Sequence, residues 1–179
     1  MFKGIEHPNL LPLITSGVVL LSHSGEERFV IIYARPAGKK LSELLTGVNG
    51  PLNENFICRN ILTPIVSALV QLNELNAVHG GIRPDNIFYG DYPILGDCVS
   101  EPCGLSQPFY YEPVERMQAM PAGKGESGNF NDYYALAALA LQLLYGTQHF
   151  ANLTPEILAR TICRDGAYNA LLRNREPPE

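Results

Sequence analysis

Between Val78 and Asp91 the chain reads VHGGIRPDNIFYGD, which places a histidine, an arginine, an aspartate and an asparagine within eight residues, His79 to Asn86. Such a set could move a proton or hold a phosphate, yet two glycines, Gly80 and Gly81, stand where a reactive side chain would be expected. Zinc is a poor fit. His79 with Cys98 and Cys103 makes three ligands, structural zinc takes four, and no second Cys-x-x-Cys or His-x-x-x-His pair supplies the rest. Acyl transfer over a His-Gly-Gly oxyanion hole needs a G-x-S-x-G nucleophile elbow, and GESGN at 125–129 fails at its last position. A phosphate-binding G-x-x-x-x-G-K-[ST] loop is also missing, since the lysine of AGKGES precedes the required second glycine. On residue type alone, Asn86 and Asp97 can cap turns, and His79 can anchor backbone where a helix runs into a loop.

The elements around this loop follow from periodicity. Residues 53–77 carry Phe56, Ile57, Ile61, Ile65, Ala68, Leu69, Leu72 and Leu75 at the spacing of a helix with one buried stripe, kinked at Pro64 and ending just before His79. After the loop, IFYGDYPIL (87–95) reads as two short strand pieces around Gly90-Asp91. Upstream, SGVVLLSH and RFVIIYA are β-branched runs separated by Ser24-Gly25-Glu26-Glu27, which predicts an antiparallel hairpin. Two strands alone are marginally stable, so this hairpin needs further strands or a packed helix. A short helix is expected around Leu41, Leu44 and Leu45, stopped by Gly47 and Gly50-Pro51. Residues 98–130, rich in Gly, Pro and Ser, read as an extended loop. The run NDYYALAALALQLLY (131–145) is apolar nearly all round, as expected of a helix buried on most sides, with Gly146 as its stop. A last helix is predicted from about Pro155 to Arg164, with Thr154 as N-cap and Gly166 past its end.

The chain has 179 residues, enough for one domain with a real core. At 46% hydrophobic and 17% charged residues it is too apolar for a disordered chain. Its net charge of -5 is spread out and no basic run reaches five residues, so neither nucleic acid nor an anionic membrane is an expected partner. No stretch of 18 consecutive apolar residues and no signal-peptide pattern is visible, and the expected location is cytoplasmic. The four cysteines, Cys58, Cys98, Cys103 and Cys163, read as free thiols rather than a disulfide framework.

Laid on the protein-kinase pattern H-R-D-L-x-x-x-N, the run HGGIRPDN puts His79 on the histidine, Ile82 on the leucine and Asn86 on the asparagine. Flanking stretches agree in order and distance. HPNLLPL resembles the segment leading into the fourth strand of a kinase, and RFVIIYARPAGKKLSELL the fifth strand, hinge and following helix, with Tyr33, Ala34 and Arg35 at the hinge. YPILGDCVS resembles the strand that delivers Asp-Phe-Gly, with Asp97 on the aspartate. FYYEPVERM resembles the Ala-Pro-Glu region, with Pro113 on its proline, and NDYYALAALALQLLYG the central buried helix that opens on Asp132. Over roughly residues 5–150 the chain therefore resembles a serine/threonine protein kinase.

That resemblance implies an α+β fold that is mainly a helical kinase-like C-terminal lobe, residues 36–179 and short of its last helices. A remnant hairpin of the N-terminal lobe (1–35) and a short hairpin at the catalytic loop complete it. It implies ATP and Mg²⁺ as cofactors, held weakly if at all, with Asn86 and Asp97 as metal ligands, and Asp132 as a structural acceptor for the loop backbone. The departures decide the activity. The aspartate that orients the substrate hydroxyl and takes its proton falls on Gly81, and the arginine before it on Gly80. Losing a positioned general base removes about 10²- to 10⁴-fold in rate. Arg83 replaces the usual lysine and keeps a charge that could touch a phosphate, while Asp85 matches an acid of no catalytic role. Asp-Phe-Gly has become Asp97-Cys98-Val99, and the glutamate of Ala-Pro-Glu falls on Val114, or on Glu115 with a shift of one. The Gly-rich loop and strand lysine of a kinase have no counterpart before the fourth-strand segment, so a fragment is expected. The expectation is a pseudokinase that binds a protein partner or, weakly, a nucleotide. The alternative is a piece of an active kinase using a displaced base.

Overall fold

A computed structural model describes residues 4–46, 52–97, 107–118, 128–145 and 154–173. The chain opens on β1 (Leu13–Leu20) and β2 (Glu27–Tyr33), an antiparallel hairpin whose register runs from Leu13 opposite Tyr33 to Leu20 opposite Glu27, with an irregularity between Leu13 and Thr15. No third strand joins this sheet among the described residues. Its apolar side chains stay in solvent: Val18, Leu20 and Phe29 are 64%, 67% and 65% exposed.

A second sheet lies directly under the loop. The two-residue strand β3 (Lys39–Lys40) pairs with β4 (Ile87–Tyr89), which pairs with β5 (Pro93–Leu95), all antiparallel. The crossing of β3 and β4 requires Gly38, where φ is 82° and a Cβ would lie 2.2 Å from the carbonyl oxygen of Tyr89. The His7-Pro8-Asn9 segment is tied to β5: the Asn9 side chain donates to the Pro93 carbonyl (2.8 Å), the Leu95 N–H to the Asn9 carbonyl (2.8 Å) and the Leu11 N–H to the Leu95 carbonyl (2.8 Å).

Helix α1 (Leu41–Leu45) follows β3 and buries Leu41 and Leu45. Next comes one continuous helical rod built of α2 (Glu54–Phe56), a π-helical stretch (Ile57–Leu62) and α3 (Thr63–Glu74). The expected break at Pro64 takes the form of that π segment. Proline brings no N–H and its ring crowds the carbonyl four residues back, so the preceding turns widen, with the Thr63 N–H and hydroxyl both given to the Cys58 carbonyl. The rod is the one described helix long and apolar enough to cross a membrane. Its stripe of Ile57, Ile61, Ile65, Ala68, Leu69 and Leu72 is instead packed in the core, against Leu136, Leu139 and Leu143 among others.

The stretch 98–130, read as extended, is partly helical where it is described. A single 3₁₀ turn at Phe109–Tyr111 leads to α4 (Val114–Gln118), and α5 (Asn129–Tyr145) starts two residues before the expected Asn131. Helix α5 buries Asp132, Ala135, Leu136, Ala138, Leu139 and Leu143, but Tyr133 is 42% exposed, so one side of a helix expected to be enclosed is open. The final element, α6 (Pro155–Arg173), is capped by the Thr154 hydroxyl on the Ile157 N–H and broken at Gly166, where φ is 74°. A further helical stretch follows the glycine that was expected to close the helix. Gly47, Gly50, Pro51, Cys98, Val99, Cys103 and Gly146 lie outside the described residues, whereas Cys58 and Cys163 are free thiols.

Candidate functional site

Helix α3 ends in a capping motif that aims the chain into the loop. Asn76 takes a left-handed conformation (φ 53°), its N–H bonds the Asn73 carbonyl, and the Ala77 N–H bonds the Leu72 carbonyl at 2.8 Å. Asparagine tolerates this conformation better than most residues, and the two bonds satisfy carbonyls that the helix end would leave open. His79 follows three residues later, buried.

Three side chains hold the loop's shape. The carboxylate of Asp132, on the first turn of α5, accepts from the His79 N–H (2.7 Å) and the Gly80 N–H (2.8 Å). Burial pushes the Asp132 acid up to about 6, against the downward pull of those two N–H groups. The His79 ring accepts the Gly81 N–H at Nδ1 (3.2 Å), which leaves Nε2 to carry the proton toward the Gly96 carbonyl (3.3 Å). Burial holds the imidazole down to about 4, so at neutral pH it is a neutral strut. The Asn86 amide nitrogen donates to two carbonyls, Gly81 and Asp97, both at 2.9 Å, and the Gly96 N–H returns a bond to the Asn86 carbonyl (2.8 Å). Gly96 is required for this approach, because a Cβ there would lie 2.2 Å from the Asn86 side-chain oxygen.

Gly80 has φ 73°, a left-handed conformation that suits glycine. Gly81 is not left-handed, and a Cβ built on it would meet the Asn86 amide nitrogen at 3.0 Å and the Arg83 guanidinium at 3.5 Å. A side chain at 81 would thus enter a space bounded by an amide and a cation. Arg83 itself bonds Asp85 (3.2 Å) and the side-chain oxygen of Gln107 (3.2 Å), and Gln107 donates to the Ile82 carbonyl (2.8 Å). Sequence reading missed Gln107, which is buried and arrives from the far side of 98–106 with no local signal of its role.

Of the three residues expected at a hinge, Tyr33 meets the loop layer. The Tyr33 hydroxyl, at the end of β2, donates to Asp97 Oδ1. Ala34 gives its N–H to the Pro12 carbonyl (2.9 Å), and Arg35 is exposed. Pro113 is buried before α4 and Glu115 is exposed, while Glu112 and Arg116 are the buried charges of that stretch.

The expected Mg²⁺ site can be tested on donor chemistry. Mg²⁺ takes hard oxygen ligands in near-octahedral order. Here Asn86 turns its nitrogen to the Gly81 and Asp97 carbonyls, Asp97 Oδ1 holds the Tyr33 hydroxyl, and no group of three or more His, Cys, Asp or Glu side chains gathers among the described residues. The residues as arranged do not fit Mg²⁺ with a nucleotide. Apart from the loop, a cavity of about 470 Å³ opens between α4, α5 and α6, lined by Pro113, Glu115, Phe130, Tyr134, Ala137 and Leu141 among others.

A buried histidine and a half-buried asparagine thus shape the loop, with its backbone held by an aspartate from α5, and comparison with known proteins supports a distant relationship to serine/threonine protein kinases. The chain is similar to the serine/threonine-protein kinase MRCK gamma of Mus musculus, 30% identical over 138 residues, covering 70% of this chain and 9% of that protein. It is similar too to the serine/threonine-protein kinase MRCK alpha of Homo sapiens, 31% identical over 126 residues, covering 63% of this chain and 7% of that protein. The chain therefore spans less than a tenth of the length of the curated relatives it matches. No family model matches it.

Proposed function

We propose that this chain is a kinase-like C-terminal lobe that does not transfer phosphate and acts by binding a protein partner, in the cytoplasm. One observation carries the reading. Gly81 stands at the base position, and the acids around the loop are engaged elsewhere: Asp132 with the His79 and Gly80 N–H groups, Asp85 with Arg83, and Asp97 with Tyr33. None of them is left at position 81 to orient a hydroxyl and take its proton, the step that a kinase assigns to its loop aspartate.

The partner surface in this reading is the open side of α5 at the cavity beside Pro113 and Glu115, where Phe130 and Tyr134 offer aromatic area. Nucleotide binding is the weaker form of the reading, since Asp97 already holds a phenol. The test is Mg²⁺-ATP turnover by the purified chain. The expected result is no ADP above the blank, and turnover that Asp97→Asn abolishes would overturn the non-catalytic reading in favour of a displaced base.

A further inference from the structure

The cavity between α4, α5 and α6 opens where α6 breaks at Gly166 (φ 74°, ψ 157°), one of its lining residues, and its volume of about 470 Å³ is that of a pocket able to enclose a ligand group. Phe130, Tyr134, Ala137, Ala138 and Leu141 line it from α5 at the spacing of a single helix face. Two aromatic rings therefore stand beside a floor of small apolar side chains. Glu115 and Asp165 line it from α4 and α6, and no lysine or arginine does so among the described residues. The Asp165 side chain is buried and already paired with Arg164, at 2.8 and 3.0 Å. Glu115 is exposed, and burial together with its charge holds the Tyr134 phenol above its ordinary value, which puts this acid beside the ring. Its neighbour Arg116 is buried and lines a separate small cavity with Glu112 and Asp132. Glu115 is thus the acid placed to meet a charge arriving from outside.

We infer that this cavity seats an arginine carried on an apolar stretch of a partner protein, with the guanidinium against the Phe130 and Tyr134 rings and the Glu115 carboxylate. The inference rests on the reading of this face as the partner surface. A guanidinium stacks on aromatic faces, sheds water more readily than an ammonium and forks onto a carboxylate, so arginine suits the set better than lysine. Its methylene stem can lie along the alanine floor, and apolar neighbours in the partner segment cover the rest. The chain's net charge of -5 favours the approach of a basic segment. An acidic or uncharged segment would desolvate Glu115 and give it no cation in return.

The test is selection of a random-peptide phage library on the full chain, followed by fluorescence anisotropy with a synthetic copy of the dominant peptide. The enriched sequences should carry arginine beside aliphatic or aromatic residues. Citrulline in place of that arginine keeps the shape and loses the charge, and should weaken binding to the wild-type chain about 10-fold. Glu115→Lys, at an exposed position, should weaken the arginine peptide by about as much and leave little further loss on going to citrulline, because the two changes remove one interaction. Ala137→Trp fills the floor from an exposed position and should weaken both peptides alike. No enrichment, enrichment of acidic or uncharged sequences, or equal binding of the arginine and citrulline peptides by the wild-type chain overturns the inference, and the last comparison needs no variant to fold. An arginine peptide that binds Glu115→Lys and Ala137→Trp as well as wild type docks elsewhere and overturns it too. Each of these failures leaves the non-catalytic reading standing, because that reading is judged by turnover.

Discussion

Asp132→Ala removes a side chain that joins α5 to the loop backbone. Its carboxylate accepts from the His79 N–H at 2.7 Å and the Gly80 N–H at 2.8 Å, and it is only 4% exposed, so water has little access to replace it. Leaving a buried donor unsatisfied costs about 1–3 kcal/mol, in full for the His79 N–H and in part for the half-buried Gly80 N–H, or roughly 1–4 kcal/mol together. Part of this is offset, because burial already pushes the acid up to about 6 and the ionised carboxylate is held at a cost. The lower part of the range therefore applies, about 1–2 kcal/mol of lost stability at pH 7. Urea unfolding followed by circular dichroism measures it, and hydrogen exchange at the His79 and Gly80 amides localises it. A loss below about 0.5 kcal/mol, the size of an ordinary surface substitution, with unchanged exchange at both amides would refute the reasoning.

The pH dependence of that pair follows from two opposed shifts. His79, held down to about 4, contributes stability that is present above its unfolded value of 6.5 and lost as pH falls through 4. Asp132, pushed up to about 6, contributes stability that is present below its unfolded value of 3.8 and lost as pH rises through 6. Each amounts to roughly 3 kcal/mol at about 1.4 per pH unit, so in the wild type they nearly cancel. Asp132→Asn leaves the histidine arm alone, and its urea midpoint should fall against wild type between pH 7 and pH 4 by the equivalent of about 3 kcal/mol. Gly96→Ala forces a Cβ to 2.2 Å from the Asn86 side-chain oxygen and should cost about 1–3 kcal/mol in thermal melting. Gly128→Ala, where nothing lies within 4 Å, is its control and should change stability by less than about 0.5 kcal/mol.

How much of this was legible varies with how local the cause is. The stripe Ile57, Ile61, Ile65, Leu69 and Leu72 is a matter of period, and the same side chains are buried in the structure. The hairpin of β1 and β2 was readable because β-branched runs on either side of Ser24-Gly25 pair by their own alternation. Pro64 signalled a disturbance but not its form, since a π-helical stretch depends on how the rod packs as well as on the missing N–H. Helix α4 was missed in a segment dominated by Gly, Pro and Ser, where five helical residues are too few to show a period. The link between Asp132 and His79 entered only through the resemblance, because residues 53 apart carry no common pattern in the chain itself.

By itself, then, the sequence determined the buried stripe of the long helix and the β1–β2 hairpin, and it fixes a glycine at position 81, a covalent fact that no folding can change. Tertiary structure alone decided where the remaining charges go. Asp97 and Arg83 could each have faced a nucleotide, and it is the approach of Tyr33 from the hairpin and of Gln107 from beyond 98–106 that gives them protein partners. Hydrogen bonds of this kind are settled by distances of a few tenths of an ångström between segments far apart in the chain. Composition and spacing carry no record of those distances.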